Sequence, residues 1–303
     1  MQHVNKPSRS NSYEVGLLQY PQVFLDSGLI CRGSCRAHMQ GPLPRGIAVG
    51  TGGSKGIGLE ICRQLASNEV MVILTARDEK RGTEAVENLK ACGLSDTFFH
   101  QLDVTDSLLV NNAGVSGVIM DAESFTSLKL KSGEVSLLPD SGFQQKTYAY
   151  CIHQGFKSSK MIYIVGEKAE MAKKVIKQTY ETAEGCLRTN YYGPKQLSQA
   201  LIPLFRLSSS ARIVNVSSGL GAAKVSRYLQ DAKEDLLESK GWPLLSAYVV
   251  SKTAFNAYTR VLAKKFPNFG INSVTPAFCK TYMSFNNGHY TAEQGAKGPV
   301  KLV

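Results

Sequence analysis

The octapeptide TGGSKGIG, residues 51–58, follows a short apolar strand and opens a helix, and this arrangement decides the fold. Gly52 permits a tight turn. Gly56 and Gly58 let an anion approach the free N–H groups at the helix N-terminus. A glycine-rich loop alone is often no more than a turn. Its place between a strand and a helix indicates a phosphate-binding loop, to which Ser54, Lys55 and Ile57 also belong.

Strands and helices alternate around this loop, which predicts an α/β fold with a doubly wound parallel sheet, Rossmann-like in form. The sequence pattern predicts strands over 46–51, 69–76, 97–104, 211–218 and 270–278, and helices over 55–68, 78–93, 178–205 and 246–266. We divide the chain into a loosely ordered extension, 1–45, and a single domain, 46–303, with an irregular insertion at about 116–177.

The net charge of +11 is concentrated outside the patterned part of the chain. Residues 1–46 carry +3 of it and residues 143–178 carry +5. Basic residues do not alternate with aromatic ones, so we expect solvated faces and tails rather than a nucleic-acid surface. The apolar runs are too short for a membrane span, and no secretory signal is visible.

The seven cysteines favour free thiols in a reducing compartment, because their number is odd and no CxxC occurs. Cys31, Cys35 and His38 are close together, but no fourth zinc ligand is placed for them. We therefore expect no metal and a cytoplasmic protein.

Two cations indicate which dinucleotide the loop would bind. Arg77 stands at the end of the second strand, where an acid would favour NAD, and Lys55 lies in the loop. Both suit a 2′-phosphate, so we expect NADP(H). The alternative is that Arg77 only faces solvent.

Tyr248 and Lys252 are four residues apart on one face of a predicted helix. An ammonium group lowers the pKa of a nearby phenol, which prepares it for general acid–base catalysis. The same spacing recurs at Tyr191 and Lys195, but Pro194 interrupts that pair and no serine-tipped strand precedes it. Ser218, at the end of the strand before Tyr248, could hydrogen-bond a carbonyl oxygen, or could simply begin a turn.

TGxxxGIG, NNAG, TNYYG, NVSS and YxxxK, in this order, resemble the short-chain dehydrogenases/reductases. LTARDEKRG, FHQLDVTD, ESKGWP and NAYTRVLAKK are similar to the plant salutaridine reductase and (+)-neomenthol dehydrogenase group and to carbonyl reductases. The resemblance implies reduction of a ketone by NADPH, or the reverse oxidation, in a monomer. The substrate would be apolar and cyclic, terpenoid or alkaloid-like.

The resemblance also implies roles for matching residues. Tyr248 would be the acid–base, Lys252 would lower its pKa and bind ribose, and Ser218 would polarise the carbonyl. Asn190 would hold a water molecule that links Lys252 to solvent. The remaining positions would contact the cofactor: Asp103, Val104, Asn112, Ala113, Gly114 and Thr281. Ala277 stands where the family has a glycine.

One connection departs from the family. Only Thr105, Asp106 and Ser107 separate the third strand from LLVNNAG, and they reach at most about 14 Å. The family's crossover needs roughly 22 Å, so either the third strand or NNAG must leave the sheet. The crossover helix is missing, and the chain stops where the family continues to a final strand. The competing interpretation is a non-catalytic or misfolded splice or gene-model variant.

Overall fold

Strands and helices alternate through the described part of the chain. A computed structural model describes residues 46–103, 112–120, 135–138, 149–152, 161–164, 172, 174–218, 225–242, 244–286 and 288–303. The strands are β1 (Gly46–Gly50), β2 (Val70–Ala76), β3 (Thr97–Gln101), β4 (Ile119–Met120), β5 (Val135–Leu138), β6 (Ala149–Ile152), β7 (Met161–Ile164), β8 (Ile176–Lys177), β9 (Arg212–Val216) and β10 (Gly270–Val274). The α-helices are α1 (Gly56–Ser67), α2 (Glu79–Ala91), α3 (Tyr180–Leu187), α4 (Gly193–Phe205), α5 (Val225–Lys233), α6 (Ser246–Lys265) and α7 (Ala292–Val300).

Two parallel sheets carry the fold. The first has the order β1–β2–β3, and the second pairs β9 with β10. Val72, Ile73 and Leu74 in β2 are fully buried, as expected for a central strand covered on both faces. Within the described ranges, no strand hydrogen-bonds to both sheets.

The short linker after β3 leaves that strand in place. β3 pairs in parallel with β2, and Phe98 lies opposite Ile73. Asn112–Gly114, the end of NNAG, lie outside the strands. Residues 104–111, including Val104, fall outside the described residues.

Short antiparallel strands occur within about 116–177, the range predicted as an irregular insertion, and the division itself stays a prediction. β7 lies between β5 and β6, and β4 pairs with β8. The pairing of β4 with β8 brings Ile176 and Lys177 beside the segment that follows NNAG. The alternation of apolar residues in these short strands is too weak to be distinguished from a loop by sequence pattern.

The long helix predicted over 178–205 is interrupted. Between α3 and α4, residues Arg188–Tyr192 form one π-helical turn. Pro194 has no N–H and cannot donate to the carbonyl of Asn190, four residues earlier. The wider turn accommodates this lost hydrogen bond, and such turns are frequent at functional sites.

The helices cover the parallel sheets with separate apolar clusters. Cys62 and Leu65 of α1 and Val86 of α2 pack against Leu74 of β2. A second group is formed by Ile213 of β9 with Phe255, Tyr258 and Leu262 of α6. None of the helices in the described ranges is long and apolar enough to cross a membrane.

Candidate functional site

Two positions in the turn between β1 and α1 favour glycine over any residue with a Cβ. Gly52 has a left-handed φ of 58°, which favours glycine. A Cβ on Gly58 would lie 2.4 Å from both the Gly52 carbonyl oxygen and Asn112 Nδ2. The loop therefore keeps its backbone open toward the start of α1.

The end of NNAG is fastened to this turn by the buried Thr51. Its hydroxyl accepts hydrogen bonds from the backbone N–H groups of Asn112, at 2.9 Å, and Ala113, at 3.0 Å. Asn112 Nδ2 donates to the Thr51 carbonyl at 2.9 Å. Hydrogen bonds that involve the side chains of Thr51 and Asn112 thus hold the end of NNAG beside the glycine loop.

The N-terminus of α1 fits the diphosphate of a dinucleotide. Lys55 is its N-cap residue, and no side chain caps the helix there. The first N–H groups and the positive end of the helix dipole favour an anion at this point. Ser54 and Lys55 directly precede this helix, and Gly56 and Ile57 begin it; their contact with a cofactor stays a prediction.

Thr281 borders the same loop from the other side. A Cβ on Gly56 would lie 3.6 Å from Thr281 Cγ2. Next to it, the ring of Tyr282 lies under Lys55, with Nζ 4.2 Å from the ring centroid. Ala277, four residues before Thr281, has a φ of 72°. This left-handed conformation is strained for a residue that has a Cβ.

Arg77 and Asp103 follow the carboxyl ends of two neighbouring parallel strands. Arg77 is exposed and comes directly after β2. Asp103 is half-buried, just beyond β3, and Gln101 Nε2 donates to the Arg77 carbonyl at 3.0 Å. This edge is where dinucleotides bind in open α/β sheets. Contact of Arg77 with a 2′-phosphate stays a prediction.

Lys252 projects from α6 into the interior, with only 4% of its surface exposed. Its Nζ donates to the Val216 carbonyl at 2.9 Å and lies 5.8 Å from the Tyr248 ring centroid. Burial lowers the pKa of Lys252 to about 8, because the ammonium group is disfavoured away from water. Lys252 can therefore lose its positive charge as the pH rises through about 8.

Ser218 lies directly beyond β9 and is 1% exposed. Among the residues that the structure describes, its Oγ has no hydrogen-bond partner. Its backbone is held in place, because Asn256 Nδ2 donates to the Ser218 carbonyl at 2.6 Å. A buried hydroxyl without a partner is costly, so this one is suited to a ligand oxygen.

Asn190 is fully buried in the π turn. Its Oδ1 accepts from the Val115 N–H, and its Nδ2 donates to the Val115 carbonyl, both at 2.9 Å. Nδ2 also lies 3.0 Å from Ser251 Oγ and 3.2 Å from Cys186 Sγ. Burial raises the pKa of Cys186 to about 11, so this thiol is neutral.

Gly114 shows how closely these parts converge. A Cβ placed on it would lie 3.4 Å from Asn190 Oδ1 and 3.7 Å from Lys252 Nζ. The same point is 3.7 Å from Met283 Cε. Gly114, the π turn, helix α6 and the segment after β10 therefore meet around one small space.

The second tyrosine–lysine pair does not share this setting. Lys195 Nζ lies 5.8 Å from the Tyr191 ring centroid, the same separation as in the first pair. Lys195 is only half-buried. Its described contacts include none of the side chains that surround Lys252. Ring distance alone therefore does not separate the two pairs, whereas burial does.

Four further residues hold the site in place and were not predicted. Thr51 belongs to the TGGSKGIG motif, but phosphate binding by this loop does not require its hydroxyl. Ser251 is next to Lys252, and its Oγ donates to the Tyr248 carbonyl at 2.7 Å. Cys186 and Gln178 have no local sequence signature, since their partners are remote in the chain.

The family model described as short chain dehydrogenase matches residues 46–132. Salutaridine reductase from Papaver bracteatum is 42% identical, and the match covers 84% of this chain and 89% of that protein. (+)-Neomenthol dehydrogenase from Arabidopsis thaliana is 40% identical, and the match covers 84% of this chain and 90% of that protein. The solved structure of salutaridine reductase from Papaver somniferum is 38% identical with a TM-score of 0.67, and the match covers 85% of this chain and 95% of that chain. The chain therefore belongs to the short-chain dehydrogenase/reductase family, a class of oxidoreductases that use NAD(P), and the predicted family and Rossmann-like fold class are confirmed.

Proposed function

We propose that this protein reduces a ketone to a secondary alcohol with NADPH, or catalyses the reverse oxidation. The observation that carries the proposal is the buried hydroxyl of Ser218, just beyond β9, which has no hydrogen-bond partner among the described residues. Two residues earlier, the Val216 carbonyl accepts a hydrogen bond from Lys252. A ketone oxygen would complete its hydrogen bonding.

In this mechanism Ser218 donates a hydrogen bond to the ketone oxygen and polarises the carbonyl group. The hydride that the carbonyl carbon accepts would come from NADPH, which the glycine loop and Lys252 would hold and which would leave the reaction as NADP⁺. Tyr248 gives its phenolic proton to the oxygen as negative charge develops there. Lys252, as the ammonium, stabilises the resulting phenolate. Asn190 keeps Val115 and the adjoining Gly114 beside Lys252.

The preference for NADPH rests on charge. Arg77 and Lys55 are both exposed at the edge where the adenosine ribose would lie, and no acid occupies the place after β2. The remaining assignments of cofactor contacts to Asp103, Asn112, Ala113 and Thr281 are part of the same proposal.

The substrate proposed is an apolar cyclic ketone of the terpenoid or alkaloid type. Relatives with at least 40% identity are called salutaridine reductase, (+)-neomenthol dehydrogenase and (−)-isopiperitenone reductase. Met283 adds an apolar side chain near Lys252. We further propose a cytoplasmic monomer, with a domain over 46–303 after an extension, 1–45.

The first test is the melting temperature of the 303-residue chain with and without nicotinamide cofactors. A cooperative transition that NADPH raises more than NADH supports the proposal. Absence of a cofactor response would favour the competing interpretation, a non-catalytic chain. Turnover of menthone or salutaridine would then be measured by NADPH absorbance.

A further inference from the structure

The catalytic helix α6 begins without a cap of its own. Its N-cap residue is Leu245, whose side chain cannot accept a hydrogen bond. The N–H groups of the first turn need acceptors, and Ala247 in that turn is fully buried from solvent. Tyr248 follows directly, so the order of this turn decides where its phenol lies.

Gln178 supplies the missing cap from a distant segment. Its Oε1 accepts a hydrogen bond from the Ala247 N–H at 2.9 Å, across 69 positions of sequence. Its Nε2 donates to Ser246 Oγ at 2.8 Å. The acceptor therefore satisfies the N–H that an ordinary N-cap side chain would bind, and the donor holds the residue before it.

The Gln178 side chain is presented from a fixed backbone. On one side, β8 pairs with β4, and Ile176 packs with Leu244 and Leu245 ahead of α6. On the other side, Thr179 caps α3 through a hydrogen bond from the Thr182 N–H. Because the backbone is held on both sides of Gln178, its side chain can position Ser246 and Ala247 with little loss of conformational freedom.

We propose that Gln178 is a positioning residue, which holds the first turn of α6 so that the Tyr248 hydroxyl lies in register with Ser218 and Lys252. This inference rests on the proposed function. Gln178 does not touch the reacting atoms. It links β8, and through β4 the segment after NNAG, to the catalytic helix. Gln178 thereby fixes Tyr248, the proposed proton donor, relative to the loop proposed to line the cofactor.

Two substitutions at Gln178 test the proposal. Gln178→Met keeps the length of the side chain and removes both hydrogen bonds. Gln178→Glu keeps both, because a carboxylate accepts from the Ala247 N–H and from the Ser246 hydroxyl. Gln230→Ala is the control, since it removes an exposed glutamine whose bond is to Glu234, away from α6.

Menthone serves as the probe ketone, and NADPH affinity and amide exchange over the first turn of α6 are measured in parallel. We expect Gln178→Met to lower kcat roughly 10- to 100-fold, with faster exchange at Ala247 and an NADPH Kd close to the parent value. Gln178→Glu should restore both kcat and slow exchange. Full kcat in Gln178→Met, or no recovery in Gln178→Glu, would overturn the proposal. If the parent protein reduces no ketone, the proposed function fails, while unchanged exchange in Gln178→Met would separately disprove the cap.

Discussion

The Asn190 side chain bonds both backbone polar groups of Val115, accepting from its N–H and donating to its carbonyl at 2.9 Å each. A neighbouring strand would make the same two bonds. Val115 directly follows Gly114, the last residue of NNAG. One amide side chain thus fixes the backbone at the end of this loop.

Replacing Asn190 with Asp tests this relationship. A carboxylate still accepts from the Val115 N–H, but it cannot donate to the Val115 carbonyl or to Ser251, and it places an unpaired charge in a fully buried site. We expect the free energy of unfolding to fall by at least about 2 kcal/mol, measured by urea denaturation. Asn88→Asp, at an exposed position of α2, should change it little. Equal stability of the two variants would contradict this account of Asn190.

Tyr248→Phe removes the proposed proton donor and little else. Turnover should be lost, while NADPH binding, read as a rise in melting temperature, should be largely kept. The matched control is Tyr191→Phe, which removes the hydroxyl of the second tyrosine–lysine pair and should retain turnover. Undiminished turnover in Tyr248→Phe would refute the catalytic assignment.

Lys252 predicts how turnover depends on pH. Burial lowers its pKa from 10.5 to about 8, so the ammonium that stabilises the phenolate is lost as pH rises through that value. We expect kcat for ketone reduction to decrease above pH of about 8. A kcat that is the same on both sides of this pH would contradict the role given to Lys252.

The same pKa shift has an effect on stability with a definite sign. Below a pH of about 8 Lys252 is protonated in the folded and unfolded states, and above 10.5 in neither. Between these values only the unfolded state holds the proton, so this group makes folding more favourable as pH rises. Replacing Lys252 with Met should remove that contribution to the pH dependence of the unfolding free energy.

Arg77→Asp should shift cofactor preference toward NADH. The substitution removes a cation suited to the 2′-phosphate and adds an acid that can bind ribose hydroxyls. We expect the ratio of NADPH to NADH affinity to fall roughly tenfold or more. Lys90→Asp makes the same change of charge at an exposed position in the last turn of α2, at the far end of that helix from Arg77, and should have a smaller effect. An unchanged ratio in Arg77→Asp would show that Arg77 only faces solvent.

Ala277→Gly should stabilise the protein. Ala277 has a φ of 72°, and relief of this left-handed strain exceeds the cost of glycine's freedom in the unfolded chain, for a net gain of roughly 1 kcal/mol. Ala263→Gly, inside α6, should destabilise the protein by a similar amount. A loss of stability in Ala277→Gly would mean that Ala277 makes packing contacts that outweigh its strain.

Sequence pattern was sufficient where function and local structure use the same residues. The apolar run ending before Thr51, the glycines after it and the helical spacing beyond Gly58 are all local, and β1, α1, β2 and α2 begin and end within about two residues of their predicted bounds. The family motifs then order the later strands and helices. The division into an extension and one domain stays a prediction.

Features that depend on remote partners could not be predicted in this way. The cap that Gln178 places on α6 joins positions 69 residues apart, and a glutamine in a loop has no local signature for it. Pro194 is a local signal for the π turn, but a proline alone does not distinguish such a turn from a helix start. The pairing of β3 with the buried β2 also joins segments remote in sequence, so the length of the linker after β3 could not predict it.

The side-chain bonds of Thr51 and Asn190 have a thermodynamic consequence. They hold Asn112, Ala113 and Val115 by one or two hydrogen bonds each, which couple segments less strongly than the ladder between two strands does. A dinucleotide that spans the glycine loop and Lys252 would strengthen this coupling. Calorimetry should therefore record a sharper heat absorption peak for the chain with NADPH bound than for the free chain.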